Sequence, residues 1–332
     1  MNMKKLLYLA AFLLIVSCAP KGPVQLIFET DMGNDVDDVV ALAMIHTYVQ
    51  QGDADLLMIG VNKDRPTAPD YVRLMNEFYG RGEIPIGMVH DGAKEREDDF
   101  CWKTLRMTNE DGSPVYRLAP KTYEDAVTLY RKVLSKAKNR SVVIASVGFS
   151  TNLARLLESG PDGISSLSGP DLIKKKVARL VVMAGSFPES KRKEYNVDRD
   201  VPSAKKVFSD WPTDIWISPF ELGDVVRFPA TSVENDFAWA GGHHPLVDGY
   251  VSYLPMPYDR QMWDPTAVLC AVEGTSAFTV NGPYSIKIDD EGHMFHEDNP
   301  KGGRYILSVD DAQAKAVLDR IVSLATKDSR KK

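Results

Sequence analysis

From Val24 onward, short apolar runs alternate with stretches whose apolar residues recur at helical spacing, and this alternation is what most constrains the fold. Val24 to Phe28 reads as a strand. After an acidic segment, Val39, Val40, Leu42, Ala43, Met44 and Ile45 mark a helix running to about Gln51. The order then returns: a strand at Leu56 to Val61, a helix capped by Asp70 and reaching about Phe78, and a strand at Ile84 to Met88. A helix at Tyr123 to Ala137 precedes a strand at Ser141 to Ala145, and a helix at Thr151 to Glu158 precedes a strand at Val177 to Met183. Parallel strands need such crossover helices, so the expected class is α/β, with an open, mainly parallel sheet flanked by helices. Toward the end, Phe278 to Leu307 reads as short strands with turns at Asn281-Gly282 and Glu291-Gly292, before a closing helix from about Asp311 to Ala325. The long polar stretch from Val89 to Lys121 is expected as a lid or rim, because loops of that length are commonly functional.

The amino terminus reads as an address. Lys4 and Lys5 precede the apolar stretch Leu6 to Val16, which is too short to span a bilayer, and Ile15-Val16-Ser17-Cys18 closes it. That tetrad resembles a bacterial lipobox. The expectation is a signal peptide over residues 1–17, an acylated Cys18, a tether over 18–23, and one domain over 24–328 in the bacterial cell envelope, periplasmic or outer-membrane. The formal net charge of −6 becomes more negative once Lys4 and Lys5 are removed, and no Lys/Arg block tracks a phosphate backbone. This argues against a nucleic acid polymer as partner. Cys101 and Cys270 show neither disulfide spacing nor a metal-ligand pattern. The oligomeric state is left open, a homo-oligomer included.

Five acids fall within ten residues from Glu29 to Asp38, at the end of an apolar strand. Carboxylates that close repel one another unless a cation lies among them. Calcium, which takes six to eight oxygen donors from carboxylates, carbonyls and water, suits such a cluster better than magnesium. Capping of the following helix is the competing use of these acids, above all for Asp35.

The segment TDMGNDVDDVVALAM resembles the amino-terminal signature of the inosine-uridine-preferring nucleoside hydrolase family, DTDPGxDDxxAL. It carries Glu29 for the first Asp, Met32 for the Pro, and two extra residues before Asp37-Asp38. Other landmarks follow in the family's order: LLMIGV (Leu56 to Val61), SVGFSTNLARLL (Ser146 to Leu157), VVMAGSF (Val181 to Phe187), EYNVDRDVPSAKKVF (Glu194 to Phe208) and WDPTAVLCAV (Trp263 to Val272). The resemblance implies hydrolysis of the N-glycosidic bond of a nucleoside, in an open α/β sheet, with Ca2+ as cofactor. It implies Asp31 as general base and metal ligand, Asp38, Asp264 and the Val147 carbonyl as further ligands, and Glu194 and Asn196 as groups gripping the sugar. Asp37 is read as acceptor of a ribose hydroxyl, with Asp35 the alternative created by the two-residue insertion. Such residue types suit the chemistry, because a ribosyl bond breaks through a cationic state that nearby negative charge stabilises.

Three departures stand out. Trp263 replaces the His that the family often supplies as acid; an indole cannot donate that proton, though its face can stack on a planar base. His243 and His244 are the candidates to take over the role. The turn after Val61 carries Asn62, Lys63, Asp64 and Arg65 in place of a Gly-Asn pair, and the run Lys191, Arg192, Lys193 stands near the expected 5-hydroxyl side of the sugar. Turned inward, that run favours an anionic substrate group; turned outward, it is a solvated turn. The expected activity is calcium-dependent hydrolysis of ribonucleosides or related ribosides in nutrient salvage. The alternatives are a glycosidase of another pentofuranoside or a ribosyl phosphate, and a non-catalytic, calcium-dependent sugar-binding lipoprotein.

Overall fold

The computed structural model describes residues 22–94, 99–187 and 192–331. Cys18, the expected leader before it and Lys191 lie outside them. The twelve strands are β1 Val24–Thr30, β2 Ala54–Val61, β3 Ile86–Met88, β4 Glu124–Asp125, β5 Val142–Ser146, β6 Val177–Met183, β7 Asp214–Ser218, β8 Arg227–Phe228, β9 Arg260–Gln261, β10 Thr279–Ile288, β11 Met294–Asp298 and β12 Arg304–Ser308. Ten form one sheet in the order β11-β10-β12-β7-β6-β5-β1-β2-β3-β4, and β8 and β9 form a separate ribbon. Every neighbouring pair from β12 to β4 is parallel; β10 alone runs antiparallel to its two neighbours. The open, mainly parallel α/β sheet with short carboxy-terminal strands and a closing helix is therefore as expected.

Strand periodicity sorts the side chains into two layers. In β1, Leu26 and Phe28 enter one core and Ile27 the other; in β5, Val143 and Ala145 alternate with Val142 and Ile144 in the same way. Each fully buried side chain of this size contributes roughly 1.5–3 kcal/mol. The first layer is covered by helices Asp37–Gln51, Trp263–Glu273 and Asp311–Ala325, the second by Ala126–Lys136, Thr151–Glu158, Gly169–Lys176 and Val201–Asp210. Helix Asp37–Gln51 is buried along nearly its whole length, with Thr47 donating to the Leu324 carbonyl at 2.8 Å.

Several boundaries differ from expectation. The helix expected to be capped by Asp70 begins at Thr67, because Asp70 sits in its first turn and accepts from Tyr123 Oη at 2.6 Å instead. Residues Glu124–Asp125 pair as an edge strand, and Asp125 caps the helix from Ala126 by accepting from Thr128 N at 2.8 Å. Asn281-Gly282 is an irregularity within β10 rather than a turn: the Asn281 amide bonds Ile306 O and Ser308 Oγ, and pairing with β12 resumes at Tyr284. Cys101 lies in a short helix, Phe100–Thr104, and both it and Cys270 are buried and free. Among the described residues no helix is long and apolar enough to cross a membrane.

Candidate active site

The chain leaves β1 for β2 on one side and returns to β5 on the other, so the strand order reverses between β1 and β5. Loops part at such a point and leave a crevice beyond the carboxyl ends of the strands. A cavity of about 470 Å³ lies there, lined by Asp31, Asp37 and Asp38 after β1, Val147 after β5, and Met183, Glu194 and Asn196 after β6. Phe220, Tyr253, Arg260, Trp263 and Asp264 also line it, as do Asn34, Asp35 and the segment carrying Arg192, Lys193, Tyr195 and Asp198. All the residues assigned from sequence to metal, sugar or base are thus brought to one cavity.

Asp37, Asp38 and Asp264 place one carboxylate oxygen each within 4.8 Å of the others, and all three are buried. They stand at the starts of helices Asp37–Gln51 and Trp263–Glu273, whose positive dipole ends favour negative charge. The backbone N–H of Asp264 donates to Asp37 Oδ2 at 3.0 Å and ties the two helix ends together. Asp38 accepts from the Thr30 hydroxyl. Asp31 lies beside this trio, 4 % exposed, with Oδ2 held by the Asn34 amide at 2.6 Å. The trio thus includes Asp37, which the sequence reading assigned to the sugar, while Asp31 stands at the trio's edge.

Burial, reinforced by mutual repulsion, drives the carboxyls of Asp37, Asp38 and Asp264 well above the usual carboxylate range. Asp31 is pushed up to about 6, chiefly by burial and against the pull of Asn34 and Lys63. Four such acids must either hold protons or share a cation. Three buried carboxylates with a carbonyl nearby form an all-oxygen donor set suited to a hard divalent ion. Val147 O lines the cavity and accepts from the Asn196 amide at 3.0 Å, and the same amide reaches Met183 O at 3.3 Å. Glu194 accepts from the backbone N–H groups of Asn196, Gly185 and Val197, and burial raises it to about 7.

Beneath the crevice lies a buried polar layer. Glu29, raised to about 7 by burial, accepts from the amides of Asn62 at 3.0 Å and Asn152 at 3.2 Å. Asn62 Oδ1 in turn accepts from Phe149 N at 3.0 Å, and Val147 N donates to the Glu29 carbonyl, so this layer fixes the turn that presents Val147 O. Lys63 forms a buried ion pair with Asp99 at 2.8 Å, packed against Gly33 of the acidic loop.

Asp35 does not cap the helix. It makes a two-pronged pair with Arg260, whose guanidinium also covers the Trp263 ring at 5.2 Å. Trp263 lines the cavity with its indole N–H committed to Phe220 O at 2.9 Å. Neither His243 nor His244 lines it: His243 pairs with Asp248 at 2.8 Å, and His244, lowered to about 3 by burial, caps helix Pro245–Tyr253. No described residue of Val89 to Lys121 lines the cavity either; that stretch packs through Phe100, Thr104 and Tyr116 against the helix Pro245–Tyr253 region. Sequence reasoning missed Arg260, Tyr253 and Phe220. The one available signal was a lone basic residue three positions before Trp263 in an aromatic-rich stretch.

Comparison with known proteins agrees with this geometry. A family model for inosine-uridine preferring nucleoside hydrolases matches residues 26–319. Among solved structures, a plant nucleoside hydrolase superposes with a TM-score of 0.67 at 19% identity, covering 93% of this chain and 100% of its own. An inosine-uridine preferring nucleoside hydrolase from Bacillus anthracis gives 0.66 at 20% identity, with 91% and 99% covered. A purine-preferring ribonucleoside hydrolase from Gardnerella vaginalis gives 0.66 at 17%, with 91% and 99% covered. No curated protein sequence matches the chain. With its acids gathered at the switch point and its sequence matched over nearly the whole described region, the chain belongs to the inosine-uridine preferring nucleoside hydrolase family, enzymes that hydrolyse N-glycosyl bonds.

Proposed function

We propose that this enzyme hydrolyses the N-glycosidic bond of ribonucleosides or related ribosides with calcium in its site, outside the cytoplasm and held to a membrane through a lipid on Cys18. The observation that carries the calcium reading is the buried Asp37, Asp38 and Asp264 trio, whose members repel one another and of which Asp37 alone feels a nearby cation, Arg260, among the described residues. Asp38, Asp264, Asp31 and the Val147 carbonyl would hold the ion, and Asp37, a member of the same trio, would meet both ion and sugar. When bound, calcium supplies a Lewis acid that acidifies a water and takes up sugar hydroxyls.

The protein groups do the rest. Asp31 takes the proton of the attacking water; Asn34 holds its Oδ2, which assigns the proton to Oδ1. Asn196 is braced on Val147 O and Met183 O, so the sugar meets a rigid amide rather than a mobile one. The carboxylates at the cavity floor stabilise the positive charge that develops on the sugar ring as the bond to the base lengthens. Trp263 gives its N–H to Phe220 and has no proton to offer, so the departing base draws its proton from solvent beside the Arg260 and Trp263 wall.

Purified protein incubated with nucleosides and other pentofuranosides is expected to release reducing sugar with calcium and to stop with chelator. Asp31→Ala should lower kcat by about 10²–10⁴, the usual contribution of a positioned base. Sugar binding without turnover would favour a binding protein instead. A chelator that alters neither activity nor thermal stability would rule the metal out.

A further inference from the structure

Arg192 and Lys193 line the same cavity as the acids, on the side of Glu194. Of the three cations among its described lining residues, Arg260 is neutralised by its two-pronged pair with Asp35. Among the described residues Lys193 has only Glu291, at 3.7 Å and largely exposed, a pairing too loose to cancel its charge. Arg192 rests over the Phe220 ring at 4.1 Å and pairs with no carboxylate among the described residues. An aromatic face orients a guanidinium without discharging it. Besides the buried carboxylates after β1, the cavity therefore has two cations with no close carboxylate partner among the described residues, on the segment that also carries Glu194 and Asp198.

Glu194, the acid between these cations and Asn196, is committed to the backbone. Its two oxygens are taken up by three backbone N–H groups, at 2.9, 3.1 and 3.3 Å, so the carboxylate serves its own turn. The charged groups that the wall next to it offers to a ligand are Arg192, Lys193 and the exposed Asp198, two cations against one acid. A neutral nucleoside has no use for two such cations, whereas a phosphate matches the guanidinium fork.

We infer that the preferred substrate carries a phosphate on the sugar carbon remote from the scissile bond: a nucleoside 5′-monophosphate, held by Arg192 and Lys193. The inference rests on the hydrolase reading above. Water adds to C1′ and the C1′–N bond breaks. Asp31 receives one proton of that water, and the base nitrogen keeps the bonding pair and is protonated by solvent. The products are free base and ribose 5-phosphate.

The test compares kcat/KM of the calcium-loaded protein for inosine and uridine with that for their 5′-monophosphates. The monophosphates are expected to be favoured at least tenfold, and Arg192→Ala should bring the ratio toward one. Equal or better cleavage of the unphosphorylated nucleosides overturns the inference while leaving the hydrolase reading intact. Calorimetric titration of the wild-type protein with ribose 5-phosphate and with ribose needs neither turnover nor a variant. If nothing is cleaved, the hydrolase reading falls, and the anion site stands only if ribose 5-phosphate binds at least tenfold more tightly than ribose.

Discussion

Asp35 and Asp37 are two positions apart and chemically identical, yet the fold gives them opposite tasks. Asp35 is half-buried and spent on Arg260, far away in sequence; Asp37 is buried and held to the start of helix Trp263–Glu273. Sequence showed that acids gather here but not which would find a cation, because the cation comes from an unrelated segment. The buried acids have a thermodynamic consequence. Burial pushes Asp31 up to about 6, and Glu29 and Glu194 up to about 7, all above the ordinary values of an unfolded chain. A carboxyl raised on folding stabilises the protein below its unfolded pKa and loses that stabilisation as pH rises through the folded one. Calcium-free protein should therefore lose stability between about pH 4 and pH 7, and calcium should remove most of the loss by replacing protons in the cluster. Thermal scans at pH 5 and pH 8 are expected to show Tm falling by about 5 °C or more in chelator. With calcium present the fall should be much smaller; parallel behaviour with and without the ion would contradict the account.

Elements were legible where one periodicity held from end to end. Helix Thr151–Glu158, strand Val177–Met183 and helix Asp311–Ala325 have the bounds their apolar spacing gives, the last fixed by the Asp310 and Gln313 capping box. Asp70 misled because an acid in a first turn looks like a cap, and Asn281-Gly282 misled because a bulge uses the residues of a turn. Helix Gly169–Lys176 and strand β7 carry too short an apolar pattern to separate from their loops. Register between elements leaves no trace in a single sequence, and here it matters: Glu29 of β1 stands opposite Gly60 of β2. A Cβ on Gly60 would come within 1.7 Å of Glu29 Oε1, so the longer acid at this position and the missing side chain opposite it fit each other. Gly60→Ala should cost about 1–3 kcal/mol by overpacking and by displacing Glu29 from Asn62 and Asn152. Adding Glu29→Asp withdraws the carboxylate by one methylene and should recover part of the loss. Urea denaturation of both single variants and the double variant measures the coupling, expected at about 1 kcal/mol. Strict additivity would mean that the two positions do not share this space.

At the scale of the molecule, strand direction decides which way the site faces. The chain enters β1 at Val24 and reaches the acids only after Thr30, so entry and site lie at opposite edges of the sheet, separated by a strand of seven residues or about 23 Å. The class of the fold could be read from the alternation of its elements, and the site from its place at strand ends, since both follow from periodicity and short-range chemistry. The crevice itself could not, because it needs the order β5-β1-β2, which is a property of chain crossings. The same geometry bears on the proposed anchor. From Cys18 to Val24 the tether is six residues, at most about 20 Å when extended, so a lipid on Cys18 would keep the amino edge of the sheet close to the bilayer and turn the crevice away from it. Anchoring and catalysis should then be separable. In cells fed labelled palmitate the wild-type protein should take up label and sediment with membranes, and Cys18→Ala should take up none. Exported behind an ordinary cleavable leader in place of residues 1–17, with Cys18→Ser, the protein should be soluble and keep kcat/KM within about twofold, since nothing in the crevice depends on the edge that was freed. Membrane association that survives this replacement would place the attachment elsewhere, and a tenfold change in kcat/KM would mean that the bilayer reaches the crevice after all.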